Sequence, residues 1–211
     1  MQNGNFQKID MSSWPRRELY NFFSSVSDPF FSVTFRVDVT RLYDFAKQNG
    51  LSFYRSLVFL VTKAINSVEA FRVAVINGEL VLLDERRPSF TDMKKGSEVF
   101  HIVTMSAGDD LFAFCRDSKA KSDAQQSFID LSAEGSDLLF ISSLPWLDVT
   151  AVTNERDFDP DDAIPRVTWG KFTECGGRKT LGMSLELNHR FIDGIHIGAF
   201  DSALRDLIEK L

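Results

Sequence analysis

Between Leu57 and Ala64 the chain reads LVFLVTKA, the middle of a helix-length stretch that starts at Phe53 and runs to Val68. A helix apolar on nearly every side must be buried on most of them, so the rest of the chain has to wrap around it. Ser52 stands where its N-cap belongs. The run is too short to cross a bilayer and is interrupted by Lys63. With 211 residues, the length fits one domain spanning 1–211 with a substantial core.

The flanking segments indicate what covers this helix. Ser13-Trp14-Pro15-Arg16-Arg17-Glu18 reads as a helix start, with Ser12 or Ser13 as cap and Pro15 in the first turn, continuing to about Val26. Phe31 to Val39 alternates apolar and polar residues, the pattern of a half-buried strand. Thr40 is placed to cap a helix that Asn49-Gly50 ends. Phe71–Ile76 and Glu79–Asp84 flank Asn77-Gly78, a pair suited to a two-residue hairpin turn.

Further strands are expected at Glu98–Met105, at Leu138–Ile141, and at Arg166–Glu174 and Lys179–Leu187 joined by Gly176-Gly177. Helices are expected at Asp109–Gln126 and Gly194–Leu211, and a loop at Asn154–Pro165, which is rich in Asp and Pro. Hairpins with helices in blocks predict an α+β two-layer sandwich rather than a doubly wound parallel sheet. No Gly-rich phosphate loop follows any strand, which removes the dinucleotide and P-loop readings.

Composition narrows the function. A net charge of -6 with no basic block argues against nucleic acid as a partner. No membrane-length apolar run and no basic-then-apolar leader are visible, so the expectation is a cytoplasmic protein with no membrane partner. Cys115 and Cys175 have no metal or redox spacing, and two lone thiols fit a reducing compartment. Twenty phenylalanines against three tyrosines suit a thick core, an apolar pocket or a buried subunit interface.

One motif carries chemistry. Asn188-His189-Arg190-Phe191-Ile192-Asp193-Gly194 follows an apolar run, Leu181 to Leu187, where a strand ends and a helix begins. Histidine is the side chain best suited to moving protons near neutral pH, and the chain has three. Asp-Gly turns the backbone there, and its carboxylate is placed to cap the next helix. Alone the pattern is weak: a capping Asp beside an incidental His gives the same sequence.

The fragments Trp14-Pro15-Arg16-Arg17-Glu18, Phe71-Arg72, Phe90-Thr91, Ile141-Ser142-Ser143-Leu144-Pro145-Trp146, Thr168-Trp169-Gly170-Lys171-Phe172 and His189-x-x-x-Asp193-Gly194, in that order, resemble the chloramphenicol acetyltransferase family across essentially the whole chain. The resemblance implies an α+β sandwich with a large mixed sheet, assembled as a homotrimer with active sites between subunits. Acetyl-coenzyme A, as co-substrate and not a permanently bound cofactor, and the acceptor alcohol enter from opposite ends of a tunnel. The fold and the His-x-x-x-Asp-Gly signature are shared with the acyltransferase cores of 2-oxo acid dehydrogenase complexes, although no lipoyl or subunit-binding segment accompanies them here.

By the same resemblance, His189 is the general base, Ser142 the hydroxyl that stabilises the oxyanion, and Thr168 the holder of a water at the same intermediate. Asp193 and Arg16 form a buried ion pair supporting the loop, Lys171 lies near coenzyme A, and Phe23 and Phe100 line the acceptor pocket. His101 and His196 are left as structural. Direct transfer from a thioester needs a base and fixed donors where charge develops, and no metal.

The plainer reading of each residue stays beside this one: strand-end hydroxyls, a β-forming threonine, a solvated lysine and core phenylalanines. Departures from the family pattern are Asn188 in place of a first histidine, Pro-Phe-Phe at 29–31, Ser52 in place of a lysine, and Phe140 and Asn154 on the acceptor side. They put the acceptor in question rather than the reaction. The alternatives are transfer to another small acceptor and a catalytically silent, ligand-binding trimer.

Overall fold

A computed structural model describes residues 5–211. The helices are α1 (Arg17–Ser24), α2 (Thr40–Gln48), α3 (Phe53–Ser67), α4 (Leu111–Ala124) and α5 (Gly194–Glu209). The strands are β1 (Phe6–Lys8), β2 (Phe30–Asp38), β3 (Val73–Ile76), β4 (Glu79–Leu83), β5 (Arg87–Met93), β6 (Phe100–Thr104), β7 (Leu138–Leu144), β8 (Arg166–Gly170), β9 (Thr173–Cys175) and β10 (Arg178–Asn188). The large sheet runs β2-β10-β8-β7-β5-β6, with β9 beside β10, and a small sheet runs β1-β4-β3. β7 is parallel to both β5 and β8 while the other pairs are antiparallel, so the sheet is mixed, as the resemblance implied.

Helix α3 lies at the centre, buried from Ser56 to Thr62 and again at Ala64 and Ile65, and packs against α2, α4 and α5. The odd-numbered residues of β10, Leu181, Met183, Leu185 and Leu187, join it in one core with Val167, Trp169, Leu139 and Ile141. Strand alternation sends the intervening residues to the opposite face. That face is polar: Ser184 pairs in register with Thr34 and Thr168, and Thr168 pairs with Ser142. Segment 147–149 crosses it so closely that a Cβ on Gly182 would lie 2.1 Å from the Val149 carbonyl oxygen, and one on Gly170 would lie 2.6 Å from that of Leu147.

Several elements differ from the sequence expectation. Ser12 and Ser13 bind the Asp10 carboxylate instead of capping a helix, and α1 begins later, at Arg17. Thr40 is the first residue of α2, not its cap. Its hydroxyl donates to Asp38 and accepts from the Lys179 amide, at 2.6 and 2.8 Å. The expected strand 166–174 breaks at Lys171-Phe172 because the Lys171 amide turns to the Leu147 carbonyl at 2.7 Å. Strand β5 had no sequence signal, since Pro88 argues against a strand; it sits next to the strand's first residue, where a missing donor costs least. The Asn77-Gly78 turn is as expected, with φ of 53° and 77°.

Candidate active site

The turn after β10 is built around Arg16. Its guanidinium makes a two-pronged pair with the Asp193 carboxylate, the Nη2–Oδ1 arm being 2.7 Å. It also donates through Nη2 to the His189 carbonyl at 2.8 Å and through Nε to the Arg190 carbonyl at 3.0 Å. One side chain from the N-terminal segment therefore fixes both ends of the His-x-x-x-Asp turn. Arg16 is nearly buried and Asp193 is 28% exposed, so the expected pair is present but less enclosed on the carboxylate side. Its hydrogen bonds to Arg16 hold the Asp193 carboxyl below the usual carboxylate range.

The rest of the turn is equally determined. The His189 amide donates to the Pro29 carbonyl at 2.8 Å. Asn188, which stands in place of the first histidine of the family pattern, accepts from the Arg190 amide at 3.0 Å and ties down the 160–162 loop through its Nδ2. Asp193 is the N-cap of α5, and its carboxylate also binds Arg16. His196 completes a capping box at the helix start, its Nδ1 accepting from the Asp193 amide at 2.9 Å. Burial and then the Arg16 charge push the His196 imidazole below its ordinary pKa, which keeps Nδ1 free to accept. His101 is likewise structural, bonded to Ser122 at 2.9 Å inside the core.

The His189 ring is half-exposed. Phe23 and Phe31 meet it edge-on, with ring centroids 4.1 and 4.4 Å away. Its Nε2 lies 3.5 Å from Asp193 Oδ1, longer than the bonds that the same carboxylate makes to Arg16.

Ser142 and Thr168 sit elsewhere. They are cross-strand neighbours on the polar face of β7 and β8 and line a cavity of about 300 Å³ with Phe100, Phe140 and Asn154. A second cavity, of about 570 Å³, is lined by Lys171, Trp146, Phe172 and Tyr54. Thr91, Phe100 and Ser142 belong to both, so Ser142 stands where the two meet. Ser143, its side chain alternating to the opposite face of β7, lines only the second cavity, whereas Ser142 lines both.

Within one chain the candidate residues thus fall into two groups. His189, Asp193, Arg16 and Phe23 surround one end of β10; Ser142, Thr168, Phe100 and Lys171 surround the two cavities. Ser184 marks the level of Thr168 and Ser142 in the register, and His189 lies five residues beyond it. At strand spacing that is about 17 Å along the sheet and about 10 Å across it. His189 lines neither cavity.

Sequence reading put Asn154 on the acceptor side but missed the polar group that holds it behind Thr168. Glu186, buried on the same face, holds Asn154 and Arg156, and Arg156 stacks 3.6 Å from the Phe30 ring centre. Its one visible signal was a glutamate inside an apolar strand.

Comparison with known proteins agrees with this geometry. The family described as chloramphenicol acetyltransferase matches residues 4–205. Chloramphenicol acetyltransferase of Staphylococcus aureus is 30% identical, over 98% of this chain and 97% of that protein. Chloramphenicol acetyltransferase 2 of Escherichia coli is 29% identical, over 98% and 99% respectively. A solved chloramphenicol acetyltransferase superposes with a TM-score of 0.87 at 24% identity, covering 97% of this chain and all 100% of that one. The dihydrolipoamide acetyltransferase of Azotobacter vinelandii shares the fold with a TM-score of 0.67 at 17% identity, over 90% and 85%. The chain belongs to the chloramphenicol acetyltransferase family.

Proposed function

We propose that this protein transfers acetyl from acetyl-coenzyme A to a hydroxyl of chloramphenicol or a similar small molecule, as a homotrimer of 1–211 acetyltransferase units whose sites lie between subunits. The observation that carries this reading is the fixed presentation of His189. Its carbonyl is on Arg16, its ring is edged by two phenyl groups, and its imidazole is open, in a chain of this family.

In the proposed reaction His189 takes the acceptor's hydroxyl proton as the oxygen attacks the thioester carbonyl. The tetrahedral oxyanion is met by the Ser142 hydroxyl and a water on Thr168. Collapse expels the coenzyme A thiolate, which the imidazolium protonates. One such oxyanion donor lowers the barrier by about 3 kcal/mol. Lys171 and Trp146 mark the cavity suited to coenzyme A; Phe100, Phe140 and Asn154 mark the one suited to the acceptor.

The separation within one chain supports a site shared between subunits. Donors at one level of the sheet and a base about 17 Å beyond it make a working site only if a second copy brings its His189 and Phe23 to the Ser142 cavity. Exposed Phe22, Phe100, Phe128, Trp146 and Phe158 are the kind of aromatic surface a subunit contact covers. Sedimentation equilibrium should return three times the 23.9 kDa chain mass.

Asn154 on the acceptor cavity wall and Phe31 against His189 favour a second reading, an alcohol acceptor other than chloramphenicol. Release of coenzyme A, followed with a thiol reagent, tests both readings. Chloramphenicol-dependent release supports the first, and release with another alcohol alone supports the second. Release without any acceptor, or none under any condition, overturns acetyl transfer.

A further inference from the structure

The group behind Thr168 has a directional logic. Glu186 is buried, and its carboxylate can only accept. Its Oε1 takes two bonds from Arg156, from Nε at 3.0 Å and Nη2 at 2.8 Å. Its Oε2 takes the Asn154 amide at 2.7 Å and the Asn154 Nδ2 at 3.1 Å. An acceptor at that place compels the Asn154 side chain to turn its NH₂ inward.

Its Oδ1 then faces Thr168, 3.2 Å from Oγ1. A threonine hydroxyl has one hydrogen and two lone pairs. With the hydrogen given to Asn154, Thr168 shows only lone pairs to the cavity.

We propose that Asn154 is a positioning residue for the transfer step: held by Glu186, it takes the Thr168 hydroxyl hydrogen and so fixes Thr168 as an acceptor. A water bound to Thr168 must then spend one hydrogen on it and has the other for the oxyanion. Without Asn154 the hydroxyl rotates between donor and acceptor arrangements, so the water it anchors no longer keeps one place and orientation beside the developing charge. This assignment rests on the acetyl-transfer reading above and concerns the second donor at that site.

A kinetic double-mutant cycle over Asn154→Leu and Thr168→Val, with the best acceptor, tests it. Asn154→Leu should lower kcat about tenfold, the scale of one hydrogen bond, beside whatever change in acceptor KM follows from its place on the cavity wall. In the Thr168→Val background the same change should have no further effect on kcat, because the hydroxyl it orients is gone. Losses that multiply in the double mutant, or a loss confined to KM, would overturn the proposal.

Glu186→Gln is the second variant, needed if Asn154→Leu fails to assemble. It frees the Asn154 amide to flip and should lower kcat by a smaller factor, again only when Thr168 is present. A wild-type protein without acceptor-dependent coenzyme A release would remove the acetyl-transfer reading itself, and this inference with it.

Discussion

The His189 turn and the Ser142–Thr168 pair reach their geometry by different means. The turn is held by converging side chains: Arg16 on two carbonyls and a carboxylate, Asn188 on an amide, and His196 on the helix start. The pair is held by backbone register between two parallel strands, and the Thr168 hydroxyl is then set by a loop residue. The turn is a compact network whose loss is felt as stability. The hydroxyls sit on a sheet that stands without them, so their loss should be felt as rate alone.

The largest difference is expected from the two chemical groups themselves. His189→Ala should abolish acetyl transfer while trimer mass and coenzyme A binding persist, since an imidazole at the acceptor hydroxyl holds little of the coenzyme. Ser142→Ala should leave a residual rate, lower by roughly 10²–10³-fold, as for one lost oxyanion donor. Steady-state rates beside calorimetric binding of coenzyme A check both. Substantial turnover in His189→Ala would mean that the motif is not the base.

Stability separates the regions next. Arg16→Ala leaves the Asp193 charge unpaired and two carbonyls without their donor, and should cost about 3–5 kcal/mol. Asp193→Asn keeps an oxygen for Arg16 and a side chain that is 28% exposed, so its cost should be the smaller of the two. Ser142→Ala should leave the melting temperature within a degree or so. Equal melting temperatures for Arg16→Ala and the wild type would break the comparison.

The smallest effect is a pH dependence confined to the turn. The folded-state pKa of His196 lies below its ordinary 6.5. Between those two values the unfolded chain binds more protons, so stability falls as pH drops through about 6.5 and levels off below the folded pKa. Protonated Nδ1 also loses its bond from the Asp193 amide. Gln at this position keeps an acceptor for the cap, so His196→Gln should show a smaller fall in melting temperature between about pH 7.5 and 5.5. The Asp193 pair does not interfere: its contribution is present above the unfolded value and is lost only as pH falls below 3.8. Identical pH profiles would remove His196 from the network.

The same contrast explains what the sequence disclosed. Local signals were legible: the Asn77-Gly78 turn, the apolar α3 and the strand-to-helix junction at Asp193-Gly194 each follow from neighbouring residues. Long-range commitments were not. Arg86, fully buried, gives hydrogen bonds to the carbonyls of Phe71, Val73, Ser136, Leu138 and Ala163. Burial pushes its pKa down to about 9, yet nothing in its neighbourhood along the chain marks it. Strand β5 is held between the adjacent β6 and the distant β7, and pairing on both sides overrides the warning of Pro88. Ser12, Ser13 and Thr40 looked like caps because hydroxyls before helices usually are, but Asp10 and Asp38 compete for them. At the site, His189 and its support were visible as a motif. The role of Glu186 and Asn154 emerges only when strand and loop are brought together.

The central claim is that a site needs His189 from one copy and Ser142 from another, and subunit mixing tests it directly. His189→Ala and Ser142→Ala chains, unfolded together in equal amounts and refolded, form trimers in which about a quarter of the interfaces pair an intact His189 with an intact Ser142. The account predicts recovery of about a quarter of wild-type activity, far above either mutant refolded alone. If each site were contained within one chain, every site would still carry one lesion. Activity that stays at the average of the two separate mutants would contradict the account.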